Sequence, residues 1–495
     1  MSASDTFRFL NKARRCASAA DWLPSDRDKL WVYNLHYFDD LNARDAVQRE
    51  GWHRSLMERW VAQNPCGAGD GWEPYPISRR IVNWVKWSAR GCELPRAAQE
   101  SLAAQARWLM QRLEFHILGN HLIANAKALV YVGLYFDGVE AERWFARGVD
   151  ILDAQIREQV LADGAHFELS TMYHATVLED LLDLVNVLRV YQRPVSVAWL
   201  DAIGRMRGWL RIMSHPDGEI AFFNDAAFGI APSPAELDHY AARLALVAPV
   251  SQEFESLVIL DSSGYVRARS GPRYLVCDCA AVGPDYLPGH AHADSLSFEL
   301  SVGVQRLFVN SGTSTYWNPI ARERERGTAA HNTVVIDDRN SSDVWRQFRV
   351  AQRAHTRLHF AKATAEGIEI QASHDGYRHL PGKNTHTRRW HLCGPALRIE
   401  DTLGGAFTSA RAHFHLHPLI EVERVSASSV LLRTPSGTRV TVSFNGAATL
   451  DVTAGIWHPG FGLSLANKGI EARFAGAKLV TTVTWNEATS NMAVR

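Results

Sequence analysis

The chain reads as an α+β protein of two domains, a helical domain over residues 1–258 followed by an antiparallel β-sandwich over 259–495. Three observations predict this. Up to about residue 250 apolar residues recur three and four apart, the period of a helix with one buried face. From about residue 260 short alternating or β-branched runs replace them. The punctuation changes at the same place, from widely spaced Pro and Gly to frequent Gly, Asn, Asp and Ser. A helical run followed by a strand run segregates into separate layers or domains.

Helices are predicted over 102–115, 122–135, 144–160, 176–191 and 234–246, broken by Pro74, Pro76, Gly119, Gly164, Pro216 and Gly218. Strands are predicted over 274–279, 296–302, 306–309, 333–336, 368–372, 397–400, 412–416, 430–433, 439–444 and 479–484. Lys and Arg total 53 and Asp and Glu total 53, a balance that argues against nucleic acid as the main partner. A neutral chain can still carry a local basic groove for an acidic polymer. The six cysteines are scattered without a CxxC, so neither a disulfide framework nor a thiolate metal site is indicated. No window approaches a membrane span. The opening MSASDTFRFLNKARR lacks the apolar core of a signal peptide. The sequence as written therefore predicts a cytoplasmic protein, or a periplasmic or secreted one if a leader has been removed.

The richest segment chemically is Gly289-His290-Ala291-His292-Ala293-Asp294-Ser295. In an extended backbone His290, His292 and Asp294 share one face, and three titratable groups on one face suggest a catalytic or metal site. In the helical half three polar clusters each follow a breaker and open an apolar helix. These are Ser78-Arg79-Arg80, Asn120-His121 and Ser170-Thr171-Met172-Tyr173-His174. Their separations are near the ~40–50 residues of a helical hairpin, which places them at one end of a stack of hairpins. Helix N-termini suit anionic ligands. Asn120 and Ser170 also read simply as N-caps, which leaves Arg79, His121 and Tyr173 beside them unexplained.

These residues resemble the heparinase II/III family of polysaccharide lyases. The resemblance rests on Gly119-Asn120-His121-Leu122, on Asp163-Gly164-Ala165-His166-Phe167-Glu168 with Tyr173-His174, and on the histidine segment with Ser297-Phe298. Asn310-Ser311-Gly312-Thr313 and Ala330-His331-Asn332-Thr333 complete it. Asn34-Leu35-His36-Tyr37 and Gly312-Thr313-Ser314-Thr315-Tyr316 look more like the branch found with capsule or exopolysaccharide gene clusters. The resemblance implies an incomplete (α/α) toroid followed by the sandwich, and a uronic-acid-containing acidic polysaccharide as substrate. It also implies β-elimination: the C5 proton leaves, the C4–O bond breaks and an unsaturated sugar remains.

Asn120 and His121 then match the pair that neutralises the uronate carboxylate, Tyr173 the catalytic tyrosine and His290 the second histidine near C5. Whether Tyr173 is acid alone, with His290 as base, or does both jobs stays open. Arg79 or Arg80 is a candidate grip on a neighbouring carboxylate, and Glu168 and His174 stand as orienting groups on the substrate side. His292 and His331 match two zinc ligands. The third, usually an aspartate, is Asn310 here, which weakens the case for zinc; a hydrogen-bonded network is the alternative. His413, His415 and His417 read as a solvated sandwich face, Asn224-Asp225 and Asp337-Asp338 as turn residues, and Arg322-Glu323-Arg324-Glu325-Arg326 as a solvated charged segment, with a cleft-lining run between two matching blocks as the alternative. Two other functions fit less well: a non-catalytic acidic-glycan-binding protein of polysaccharide biosynthesis, and a glycoside hydrolase using Glu168 and Glu73.

Overall fold

The computed structural model describes residues 1–24, 28–247, 252 and 255–485. They form two compact units. One comprises Met1–Val160, Val177–Ile203 and Arg243–Leu246; the other comprises Leu161–Thr176, Gly204–Ala242 and the described part of 247–495.

The first unit is helical apart from the small antiparallel hairpin Thr6–Phe9/Lys12–Arg15. Its helices include Lys29–Tyr37, Glu50–Gln63, Pro74–Ala89, Arg96–Met110, Gly119–Tyr135 and Val139–Gln159. Pro74 sits at the helix start, where its missing N–H costs nothing. Gly119–Tyr135 is apolar on nearly every side and is buried almost throughout, as an all-round hydrophobic helix must be. Its neighbour Val139–Gln159 approaches backbone to backbone. A Cβ at Gly133 would lie 2.6 Å from the Phe145 nitrogen, and one at Gly148 would lie 2.7 Å from the Ala126 carbonyl. Trp60 packs edge-on against Trp84 with centroids 5.9 Å apart, and Lys127 is buried between Asp180 and Asp183 at 2.7 and 2.5 Å.

Among the described residues the second unit holds three larger antiparallel sheets and the two-stranded hairpin Val344–Trp345/Arg349–Val350. A five-stranded sheet runs Leu257–Leu260, Tyr265–Ser270, Arg273–Asp278, Phe298–Val302, Gln305–Phe308 in spatial order. An eight-stranded sheet is ordered Thr356–Thr364, Gly367–His374, Thr385–Cys393, Ala396–Gly404, Lys478–Trp485, Arg439–Asn445, Ser429–Arg433, Glu421–Ser426. A four-stranded sheet places Ala410–His415 between Leu465–Phe474 and Val334–Ile336. One core joins all three, with Phe298, Trp390 and Phe414 fully buried in it. The strand Thr385–Cys393 alternates strictly, turning His386, Arg388, Trp390 and Leu392 inward.

Residues 161–176 pack with the strands although they lie within the helical half of the sequence. Asp163 Oδ2 accepts from the Ser263 N–H at 2.7 Å and from its hydroxyl at 2.8 Å. A Cβ on Gly164, which sits at φ +96°, would fall 2.2 Å from the Arg205 carbonyl. Ala165 and Leu169 join an apolar cluster with Trp209, Tyr265 and Val276. This docking carries Tyr173 into the unit that contains His290.

Two expectations fail here. The expected extended backbone over His290, His292 and Asp294 is a loop, and the strand that follows starts at Phe298, after Leu296 turns to φ 60°. The run 322–326 is not solvated. It lies on the helix Pro319–Arg326, whose i, i+3, i+4 spacing buries Arg322, Glu325 and Arg326 on one face.

Candidate active site

In the second unit, the helix Thr171–Val190 opens with Ser170 Oγ accepting from the Tyr173 N–H at 3.2 Å. Ser170 is therefore the cap predicted, and its own proton goes to the Asp225 carbonyl. The cap fixes the turn that presents Tyr173. The Tyr173 ring lies flat on the His290 imidazole, centroids 3.9 Å apart and planes 8° apart. Behind His290 stands Glu168, buried, with its Oε2 hydrogen-bonded to Nδ1. A carboxylate at Nδ1 selects the Nδ1–H tautomer and leaves Nε2 as a proton acceptor. Tyr173 Oη lies 2.9 Å from the hydroxyl of Tyr316, a second phenol held at a proton-transfer distance. Burial, reinforced by Asp225 nearby, pushes Tyr316 well above the usual tyrosine range, so it remains a neutral donor.

Tyr316 is held in turn by the buried guanidinium of Arg322, whose carbon lies 4.8 Å from its ring centroid. Arg322 forms a two-point ion pair with Asp225, its Nη2 lying 2.6 Å from Oδ2. Asp225 also accepts from His292 Nε2 at 2.8 Å. Asp225 is thus a fully buried anion shared by two partners, and Arg322 above all holds its carboxyl far below the usual range. Its expected role as a simple turn residue is corrected accordingly. Neighbouring Asn224 does adopt φ 57°.

His292, Asp294 and His331 bring one ligand atom each to within 4.8 Å of one another. His292 Nδ1 and both ring nitrogens of His331 are buried without a hydrogen-bond partner. Burial lowers His292 to about 4 and raises Asp294 to about 6. Burial and the facing His292 push His331 well below the histidine range. Neutral imidazoles and an uncompensated carboxylate in one buried spot fit a divalent cation such as zinc. The expected third ligand is corrected. The Asn310 amide is committed to the Phe222 carbonyl at 2.7 Å and the Asn332 N–H at 3.4 Å, and Asp294 supplies the carboxylate.

In the first unit Asn120 and His121 lie in the first turn of Gly119–Tyr135. Asn120 is not the cap, since that position is Leu118 at φ 62°. His121 stacks on Tyr75 with centroids 4.4 Å apart, and its Nδ1 lies 3.0 Å from Glu114 Oε1. Asn125 ties Glu114 at 2.9 Å to the Ser78 hydroxyl at 3.0 Å, so the first two polar clusters meet. Arg79 already pairs with Asp39 at 3.2 Å and Asp180 at 4.0 Å, with a quarter of its side chain exposed. Arg80 is removed as a substrate grip. It is fully buried, donates to the His36 and Gly71 carbonyls and lies 3.8 Å over Trp60. His174 is likewise closed to a ligand, with Nε2 on the Met206 carbonyl and Nδ1 accepting the His166 N–H at 3.1 Å. Glu168 serves His290 rather than a sugar.

His413 and His415 stack at 6.1 Å as half-buried residues rather than a solvated face, and burial lowers them to about 3 and 4. Asp337 and Asp338 are turn residues as expected, at φ 48° and 56°. Glu73 is held by Lys29 at 2.9 Å and by the Tyr33 hydroxyl, so it is not a free acid for hydrolysis. Glu114, Tyr316, Asp225 and Arg322 were missed as site residues. Tyr316 lies in a family-like motif, Asp225 and Arg322 in segments expected to be a turn and a solvated run, and Glu114 in neither. Leu118, Leu169 and Leu296 adopt positive φ beside Asn120-His121, the Ser170–His174 cluster and the histidine segment, a costly state for leucine that concentrates at functional sites.

A helical unit is followed by an antiparallel sandwich unit that holds a stacked tyrosine and histidine backed by a carboxylate. The chain belongs to the heparinase II/III family: residues 54–241 match the heparinase II/III N-terminus and 255–486 the heparinase II/III-like C-terminal domain. It is 27% identical over 376 residues to a heparin-sulfate lyase of Bacteroides stercoris, covering 64% of this chain and 55% of that protein. It is 24% identical over 314 residues to the heparin-sulfate lyase of Pedobacter heparinus, covering 57% and 47%. The chain thus spans about half the length of these relatives. A crystal structure of heparinase III superposes with a TM-score of 0.79 at 18% identity, covering 95% of this chain and 80% of that one. The heparan sulfate lyase HepC from Pedobacter heparinus gives 0.63 at 18%, covering 98% and 82%.

Proposed function

We propose that the protein cleaves a uronic-acid-containing acidic polysaccharide by β-elimination. The observation that carries the proposal is the Tyr173–His290 stack with Glu168 behind it. His290 Nε2 takes the C5 proton, and the electron pair of that C–H bond forms the C4–C5 double bond. The C4–O bond breaks, and Tyr173 gives its proton to the departing oxygen. One proton is gained at His290 and one lost at Tyr173, so the site resets by passing one between them. Glu168 orients the imidazole and steadies the imidazolium that forms. Tyr316 donates to the Tyr173 oxygen as it becomes a phenolate. The resemblance assigns stabilisation of the enolate to Asn120 and His121, and Glu114 fixes the His121 ring; such donors are typically worth ~3–4 kcal/mol each.

A divalent cation held by His292, Asp294 and His331 would supply structural cross-linking and a compensating charge. The relatives make heparan sulfate the first substrate to assay. Mass spectrometry of the products tests the reading. Elimination leaves an unsaturated uronate lighter by one water than the hydrolysis product, and a water-containing product instead would end the proposal.

A further inference from the structure

We propose that the hairpin 344–350 is a binding arm for an anionic sugar of the substrate chain, next to the sugar that Tyr173 and His290 act on. This inference rests on the lyase reading for its position and adds a separate contact. The strands Val344–Trp345 and Arg349–Val350 pair antiparallel, with Trp345 opposite Arg349, so these two side chains share a face. Arg346, at φ 49°, turns the chain. Trp345 is 43% exposed and Phe348 45%, so one short hairpin presents two large rings to solvent.

The arm adjoins the catalytic pair directly. Phe348 packs edge-on at 6.2 Å from His290 and 5.2 Å from Tyr316. It is also fixed. Buried Arg322 donates to the Gln347 carbonyl at 2.9 Å, and buried Arg326 to the Arg346 and Gln347 carbonyls at 3.3 and 3.2 Å. Two buried guanidiniums committed to a surface turn hold its exposed side chains in place, which lowers the ordering cost of binding.

The exposed side chains state the chemistry. Arg346 and Arg349 stand 5.3 and 5.9 Å from the Trp345 centroid. The nearby carboxylate of Glu323 is engaged by the Arg346 backbone N–H at 3.1 Å, and among the described residues neither guanidinium has an ion-pair partner. Two unpaired guanidiniums flanking an indole suit a carboxylate or sulfate on a ring whose C–H face packs on the aromatic surface.

The test is binding by the full chain to heparan sulfate, to alginate (carboxylates only), to dextran sulfate (sulfates only) and to neutral dextran, for wild type, Arg346→Ala/Arg349→Ala and Arg346→Lys/Arg349→Lys. We expect wild type to prefer at least one charged polymer over dextran. The alanine pair weakens that binding roughly fivefold or more and flattens its salt dependence, while the lysine pair keeps most of it. The alginate and dextran sulfate arms say which group is held. A melting midpoint checks folding, with Arg346→Gln/Arg349→Gln as a second removal of charge. Unchanged affinity in the alanine and glutamine pairs, or no preference of wild type for any charged polymer, overturns the arm. Product formation is read separately: weakened binding without an unsaturated product removes the lyase reading alone, and product with unchanged binding removes the arm alone.

Discussion

Tyr173 and Tyr316 share one hydrogen bond at 2.9 Å, and the two phenols should respond differently to loss of a hydroxyl. Tyr316→Phe removes a donor to the developing phenolate, worth about 1–1.5 kcal/mol, so kcat should fall roughly tenfold with KM unchanged. Steady-state kinetics on a cleaved polysaccharide decide this, and an equal rise in KM would make Tyr316 a binding residue instead. The orphaned imidazole of His331 makes a second prediction. Zinc should raise the thermal midpoint of the wild type and not that of His331→Ala. At this scale the sequence was informative where a side chain carries its chemistry by type. His290, Tyr173 and Glu168 stood out and come together. Asp225 and Arg322 did not, because their importance lies in a mutual burial that no local spacing reveals.

The helix Pro319–Arg326 connects several of these parts, since one buried face holds Asp225, supports Tyr316 and pins the hairpin 344–350. Arg322→Leu leaves the Asp225 carboxylate buried without its main partner and should cost about 3–5 kcal/mol in urea unfolding. Adding Asp225→Asn should recover part of that loss; no recovery would mean that Arg322 acts through the hairpin rather than through the ion pair. The elements themselves were legible where their period is clean. Gly119–Tyr135, Val139–Gln159 and Arg439–Asn445 lie where apolar spacing put them. Thr385–Cys393 was missed because its inward face carries His386 and Arg388, neutralised by Asp401 across the sheet, so its alternation is not hydrophobic. Thr449–Trp457 was missed because it buries little.

For the whole molecule, buried neutral histidines tie stability to pH. His36 accepts the Trp60 indole N–H at 2.9 Å, and His174 accepts the His166 N–H, so each needs an unprotonated nitrogen. Burial lowers His36 and His174 to about 3 and His166 to about 4. The unfolded chain binds these protons near pH 6.5 and the folded chain does not. Their stability is therefore complete above about 6.5 and lost as pH falls toward 4 for His166 and toward 3 for His36 and His174, at roughly 1.4 kcal/mol per pH unit for each histidine. Urea midpoints at pH 7 and pH 5 measure this, and equal values would show that the histidines open before they titrate. The division into helical and strand-rich parts was visible in the change of period. The allegiance of residues 161–176 was not, because it depends on Asp163 reaching Ser263, a contact a hundred residues distant. That contact brings a phenol numbered among the helices onto an imidazole numbered among the strands. The most direct test of what this pair does is ultraviolet absorbance near ~232 nm, where a conjugated unsaturated uronate absorbs, during incubation with heparan sulfate and other uronate polymers. The wild type should give a steady rise, and Tyr173→Phe should lose it by at least ~10²-fold while still binding the polymer. No rise with any uronate polymer, or a Tyr173→Phe variant as fast as wild type, would contradict it.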